Sequence, residues 1–220
     1  MAGRARQHLK EDSDLARARR RPRDSEAWNG IYSEAQLPWD SGVVDVHLAG
    51  VLARHGIEPG KALEIGCGTG TNILWLAKHG FKMTGLDIAQ KAIAKAEAKV
   101  AAAGVKCRLF VGDFLVDEVP GAPYRFVYDR GVFHVFGTRG KRSRFASRVA
   151  QLLGPRGIWH SIIGSTDGPP RQSGPPRVSA ADVTAAVEPH FEILELRSTG
   201  FDPEGHRDVR AWVLVARRRR

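Results

Sequence analysis

From Lys61 onward, short apolar runs alternate with stretches of helical periodicity, and this alternation confines the chain to a mostly parallel sheet covered by helices on both faces. The apolar runs place strands near residues 62–65, 82–86, 107–111, 125–128 and 158–163. A helix over 71–79 carries Ile73, Leu74, Leu76 and Ala77 on one face and stops at Gly80. A second follows Asp87, buries Ala92, Ile93, Ala96 and Val100, and ends at Gly104. A third, over 141–153, buries Phe145, Val149 and Leu152 and stops at Gly154. Residues 164–178 are rich in glycine and proline and read as a long loop. Ser179 and Asp182 then resemble a capping box opening a short helix, and strands at 191–199 and 209–216 follow as a pair. Such an ending predicts a seven-stranded sheet with an antiparallel C-terminal edge strand.

A chain of 220 residues with 42% hydrophobic and 26% charged residues suits one well-cored domain. We expect that domain over 24–217, with 24–57 as a helical cap in front of the first strand. Residues 1–23 are expected to form a basic, disordered tail, and 218–220 an arginine tail. The net charge of +10 sits mostly in these ends: residues 1–23 carry eight basic side chains against three acidic ones, and Arg217 to Arg220 add four more, leaving the body near neutral. Basic ends of this kind serve as solvated or weakly docking segments, or as phosphate-binding arms.

Cys67 and Cys107 give neither a disulfide framework nor a metal-ligand cluster, so no metal is expected and a reducing compartment fits. No run approaches the ~18 apolar residues of a membrane span. The N-terminus lacks the apolar core of a secretory signal, and its three acids argue against a transit peptide, which leaves the cytoplasm as the expected location.

In doubly wound α/β sheets ligands sit at the carboxyl ends of the strands, so the residues just after each strand carry the functional signal. After the first strand comes Gly66-Cys67-Gly68-Thr69-Gly70, a turn that lets backbone approach a ligand at a helix N-terminus. A lone glycine-rich turn is a weak signal, but dinucleotide-binding folds favour G-x-G-x-x-G, whereas this turn has its third glycine at the fifth position and Glu64 two residues before the first. Asp87 follows Gly66 by 21 residues, where a carboxylate can accept from two ribose hydroxyls; it could equally cap the next helix. Asp113 can accept from an adenine amine while Phe114 offers a stacking face, or the pair can be an ordinary surface turn.

Glu64-Ile65-Gly66-Cys67-Gly68-Thr69-Gly70, Gly85-Leu86-Asp87-Ile88 and Gly112-Asp113-Phe114 together resemble the successive cofactor motifs of Rossmann-like class I S-adenosylmethionine-dependent methyltransferases, over about residues 60–217. The resemblance implies S-adenosylmethionine as cofactor and S-adenosylhomocysteine as product. It implies a cofactor site that includes Glu64, Gly66, Cys67, Gly68, Gly70, Asn72, Asp87, Ile88, Asp113, Phe114 and Asp129. Three further segments are similar to the thiopurine, thiol and halide methyltransferase group, with the tellurite-resistance methyltransferases nearby: Trp28 with Leu37-Pro38-Trp39-Asp40-Ser41-Gly42, then Tyr128-Asp129-Arg130-Gly131, then Ser173-Gly174-Pro175-Pro176. Arg177 stands where that group has an aromatic residue.

That closer resemblance implies that Trp28 and Trp39 close over the methionine portion of the cofactor, where aromatic faces favour a sulfonium cation; both could also be plain lid aromatics. It implies that Asp129 and Arg130 border the acceptor, Arg130 steadying an anionic or thiolate substrate or else pairing with Asp129. Arg171 and Arg177, in the loop above the acceptor, either select an anionic substrate or are solvated charges. A thiol acceptor, with a pKa near ~8.5, needs no dedicated base. A hydroxyl or amine acceptor needs one, and His134 is the candidate, with packing as its alternative role. The leading expectation is a small-molecule S-methyltransferase, ahead of an O- or N-methyltransferase using His134. An RNA-associated protein using the arginine-rich ends comes behind both, because the motif after the fourth strand is not the Asn-Pro-Pro-Tyr type found beside a flipped base. A non-catalytic cofactor module is the remaining alternative.

Overall fold

A computed structural model describes residues 25–33, 37, 39–169, 174–202 and 206–220, without the side chains of 202 and 206–208. The tail expected over 1–23 lies outside the described residues. Helices α1 (Ser25–Ile31) and α2 (Leu48–Arg54) precede the sheet. The order is then β1 (Lys61–Ile65), α3 (Thr71–Lys78), β2 (Lys82–Asp87), α4 (Gln90–Ala102), β3 (Arg108–Val111), β4 (Tyr124–Arg130), a single 3-10 turn at Phe133–Val135, α5 (Arg139–Leu152), β5 (Leu153–Gly164), α6 (Ala180–Val187), β6 (Phe191–Asp202) and β7 (His206–Arg218).

The seven strands lie in the order β3-β2-β1-β4-β5-β7-β6. All pairs are parallel except β5 with β7 and β7 with β6. The last strand is antiparallel as the sequence predicts, and it inserts between β5 and β6, so that β6 holds the edge. Strand order reverses between β1 and β4, the switch point at which α/β sheets open a ligand crevice. Ile65 pairs with Leu86 on one side and Asp129 on the other, which brings the ends of β1, β2 and β4 level.

Side-chain alternation along the strands builds two apolar layers. Leu63, Ile65, Val127 and Trp159 join Phe145 and Val149 of α5 and Val183 of α6 on one face. Ala62, Met83, Phe126 and Ile162 join Leu48 and Val51 of α2 and Ile73 and Leu76 of α3 on the other. Tyr32 and Leu37 pack on Ala89 and Ala92, fastening the N-terminal segment to the start of α4.

Element types follow the sequence, and most boundaries shift by a residue or two. The larger difference is β5, which begins at Leu153 and not near 158. Leu153 pairs with Tyr124 and Ile158 with Phe126, so residues 154–157 bulge out between two paired positions. Gly154 is therefore no helix stop; α5 ends because Leu153 turns extended to join the sheet. Arg218, assigned to a tail, belongs to β7. Among the described residues no helix is long and apolar enough to cross a membrane.

Candidate cofactor and acceptor site

The three glycines of the turn after β1 do different work. All have positive φ, at 64°, 55° and 84° for Gly66, Gly68 and Gly70. A Cβ on Gly66 would stand 2.3 Å from Val132 Cγ2, and one on Gly70 would stand 3.0 Å from Ala96 Cβ, so these two serve chain packing. A Cβ on Gly68 would meet, among the described residues, only the Tyr32 hydroxyl, 3.2 Å away. Asp87 ties the turn to the next helix: its Oδ2 accepts from Gly68 N at 2.9 Å and its Oδ1 from Ala89 N at 2.9 Å. Ala89 is the helix N-cap, so Asp87 braces the junction from outside the helix. Each oxygen keeps a second lone pair for a ligand hydroxyl. Burial raises its pKa, against the pull of the backbone donors.

Glu64 is buried two residues before the turn, and burial pushes its pKa up to about 8. Its Oε1 accepts from Asn72 Nδ2 at 3.4 Å, while Oε2 has no hydrogen-bond partner among the described residues. A buried carboxylate oxygen without a donor is a costly arrangement that a cationic or N–H-bearing ligand would relieve. Asn72 Oδ1 accepts from the backbone N–H of Asp45 at 2.9 Å, linking this site to the N-terminal segment. The Asp45 carboxylate in turn accepts from the Tyr128 hydroxyl and from His47 N.

That segment forms a roof over the turn. Asp40 Oδ1 accepts from the Thr69 hydroxyl at 2.6 Å. Trp28 and Trp39 meet edge to face at 6.2 Å, with Tyr32 tilted 6.4 Å from Trp28. Trp39 is 44% exposed, leaving ring surface available, whereas Tyr32 is buried and its phenol pKa is raised by burial and by Asp87. Cys67 is buried with its thiol pKa pushed well up by burial, so it stays a neutral thiol in the turn. Ile88 is half-buried beside Asp87.

Asp113 accepts from Leu115 N at 2.8 Å and stays partly exposed. The stacking face expected of Phe114 goes elsewhere: its ring is buried 4.7 Å from Phe145, with the Arg148 guanidinium over it at 5.6 Å. An apolar ring following a strand gains more by joining the core than by facing solvent.

At the end of β4, Asp129 is fully buried and accepts from Phe133 N at 3.0 Å, Val132 N at 3.3 Å and Trp159 Nε1 at 2.9 Å. Burial lifts its pKa to about 6 in spite of these donors. Its work here is to hold the turn that follows. Arg130 is not its ion partner: the guanidinium lies 4.8 Å over the Phe201 ring and donates to the Phe201 carbonyl at 3.3 Å. His134 is buried, and its Nδ1 accepts from Gly164 N at 2.8 Å. Since the backbone amide can only donate, the neutral ring carries its proton on Nε2 and its lone pair is already used. The geometry therefore corrects the reading of His134 as a general base.

Arg177 is also corrected. Its guanidinium donates to the carbonyls of Ser165, Thr166, Gly168 and Pro169, stapling the loop it belongs to and leaving no fork for a substrate. Gly164 admits this loop, because a Cβ there would stand 2.1 Å from the Pro176 carbonyl. Arg171 lies outside the described residues. Among the described residues no cluster of three or more His, Cys, Asp or Glu could hold a metal. Tyr32, Asp45 and Phe201 escaped the sequence reading, and Tyr128 entered it only as part of the strand-end motif; the cap expected over 24–57, with Trp28 and Trp39, was the sequence's signal for the roof.

The thiopurine S-methyltransferase family model matches residues 23–213. A probable thiol methyltransferase 2 from Arabidopsis thaliana is 26% identical over 191 residues, 86% of this chain and 83% of that protein. Thiocyanate methyltransferase 1 from Brassica oleracea is 26% identical over 148 residues, 65% of each chain. A structure solved for the conversion of a disulfide bond into a thioacetal group during echinomycin biosynthesis superimposes with a TM-score of 0.75 at 25% identity, covering 88% of this chain and 92% of that one.

Proposed function

Because this chain belongs to the thiopurine S-methyltransferase family of S-adenosylmethionine-dependent methyltransferases, we propose that it methylates the sulfur of a small thiol or a related soft anion. When bound, S-adenosylmethionine supplies a methyl group already activated on a sulfonium, so the residues have to bind, align and exclude water. Glu64 Oε2 would receive the cofactor's amino group, and the spare lone pairs of Asp87 its ribose hydroxyls. Ile88 would lie against the adenine and Asp113 accept from its amine. The exposed face of Trp39, beside Trp28, would cover the methionine end and favour its positive charge.

The observation that carries the sulfur acceptor is the hydrogen bond from Gly164 N to His134 Nδ1. It occupies the lone pair that an alcohol, phenol or amine acceptor would require as a base. A thiol with pKa near ~8.5 ionises to a few per cent at neutral pH without help. Arg130, laid over Phe201, supplies positive charge at the strand-end corner, where it would favour the thiolate. The relatives that act on thiols and thiocyanate support the same acceptor class.

Release of S-adenosylhomocysteine, measured against thiols, phenols, amines, halide and chalcogen anions, tests the proposal. Thiols or chalcogen anions should turn over at least about a hundredfold faster than phenols and amines. His134→Asn, whose carboxamide oxygen can still accept from Gly164 N, should keep thiol turnover within a few-fold. Preference for a phenol or amine, abolished by His134→Asn, would restore the base and overturn the sulfur assignment.

A further inference from the structure

The end of the sheet away from the cofactor turn carries a second feature. At the amino ends of β1, β4 and β5 lies an open cleft of about 650 Å³, lined by His55, Lys61, Arg125, Arg156 and Arg217 and, among the described residues, by no carboxylate side chain. A neighbouring groove of about 240 Å³ shares Arg156 and Arg217 and adds Arg218, Arg219 and Arg220, with Glu192 its single acidic side chain among the described residues. Glu192 is already taken by Arg217, 2.7 Å away. His55 faces Glu195 at 3.0 Å, whereas the side chains of Arg125 and Arg156 have no hydrogen bond or ion pair among the described residues. Gly60 makes room for the Arg125 stem, since a Cβ there would stand 3.0 Å from Arg125 Cδ.

Arg156 is independently unusual. It has φ 58°, the only positive value at a non-glycine among the described residues, in the bulge that begins β5. Holding an arginine there costs about 1 kcal/mol that glycine would not. Among the described residues no hydrogen bond or ion pair of its side chain offsets that cost, and the side chain is exposed.

We propose that the larger of these two features, the 650 Å³ cleft, binds a small multiply phosphorylated anion, of the size of a nucleoside di- or triphosphate. Its volume lies within the range of small-molecule sites. Its unpaired guanidinium groups match phosphate oxygens in charge and geometry. A single-stranded nucleic acid fits less well, because of the two lining rings Tyr124 is buried with its hydroxyl donating to Pro120 O, and His55 is held against Glu195, leaving little stacking face. The site is independent of the methyl-transfer reading, which can stand or fall without it.

Calorimetric titration of the full chain with tripolyphosphate at low salt tests this. Saturable binding that weakens with added salt is expected. Arg125→Ala with Arg156→Gly should weaken it by about tenfold or more, while S-adenosylhomocysteine affinity stays the same and Tm does not fall, because glycine relieves the strain at 156. Absence of saturable binding, or a double variant that binds like the wild type, overturns the site. Tighter binding of single-stranded RNA that grows with its length and displaces tripolyphosphate overturns the small-ligand assignment.

Discussion

The Tyr128 hydroxyl donates a 2.8 Å hydrogen bond to Asp45 Oδ2, joining β4 to the roof across 83 positions of sequence. His160 Nε2 stands 3.8 Å from the same oxygen, and both ring and carboxylate are buried. The backbone N–H of Asp45 in turn fixes Asn72, which reaches Glu64. Roof, sheet and the unpaired glutamate therefore share one polar chain.

Removing the phenol hydroxyl leaves a buried carboxylate short of a donor. Tyr128→Phe should cost about 1–3 kcal/mol in urea unfolding. It should also raise the Kd for S-adenosylhomocysteine, because the roof loses its tie to β4. Equal loss of stability with unchanged Kd would mean that the tie serves the fold alone.

Glu64 makes stability depend on pH with a definite sign. Its pKa of about 8 in the fold stands against 4.5 for the ordinary side chain, so between these values the native state holds a proton that the unfolded chain has lost. Stability of the ligand-free protein should fall as pH rises through that window, by at most about 1.4 kcal/mol per pH unit from this group. Asp129, raised from 3.8 to about 6, acts in the same direction at lower pH. Glu64→Gln should flatten the slope between about pH 6 and 8; an unchanged slope in chemical unfolding would assign it elsewhere.

The same shift predicts proton release on binding. If the cofactor's amino group meets Glu64 Oε2, the carboxyl must ionise, and S-adenosylhomocysteine titrated at pH 7 should release close to one proton. Calorimetry in buffers of different ionisation enthalpy measures it. Zero protons would show that Glu64 stays neutral in the complex.

The glycines of the turn should separate by substitution. Gly66→Ala meets Val132 Cγ2 at 2.3 Å as well as the positive φ, and should lower stability by several kcal/mol, about 2–4. Gly68→Ala meets only the Tyr32 hydroxyl, and should cost about 1 kcal/mol while weakening S-adenosylhomocysteine binding far more. Similar stability losses for both would refute this division of labour.

Arg177→Ala should free the loop it staples. Amide exchange at 165–168 should accelerate and the acceptor KM rise, with the S-adenosylhomocysteine Kd unchanged. Unchanged exchange together with a lost preference for anionic acceptors would return Arg177 to substrate binding.

Periodicity and punctuation made the sheet, its helices and the strand-end carboxylates legible, because these depend on neighbours within a few positions. Asp87 and Asp113 stood out for that reason, and the capping of α6 by Ser179 was read directly, with Asp182 N donating to the hydroxyl. The bulge at 154–157 was not legible: its glycines and proline look like a loop until β4 is there to pair on both sides of them.

Side-chain roles divided along the same line. Sequence alone determined that Glu64 with the glycine turn, Asp87, Asp113 and Asp129 lie at successive strand ends, since local pattern places them there. Only tertiary structure decided what each has left to offer a ligand, because a donor or acceptor has few bonding positions and distant groups claim them. Gly164 takes the lone pair of His134, a run of carbonyls takes the fork of Arg177, Phe145 takes the face of Phe114, and no partner among the described residues takes Glu64 Oε2.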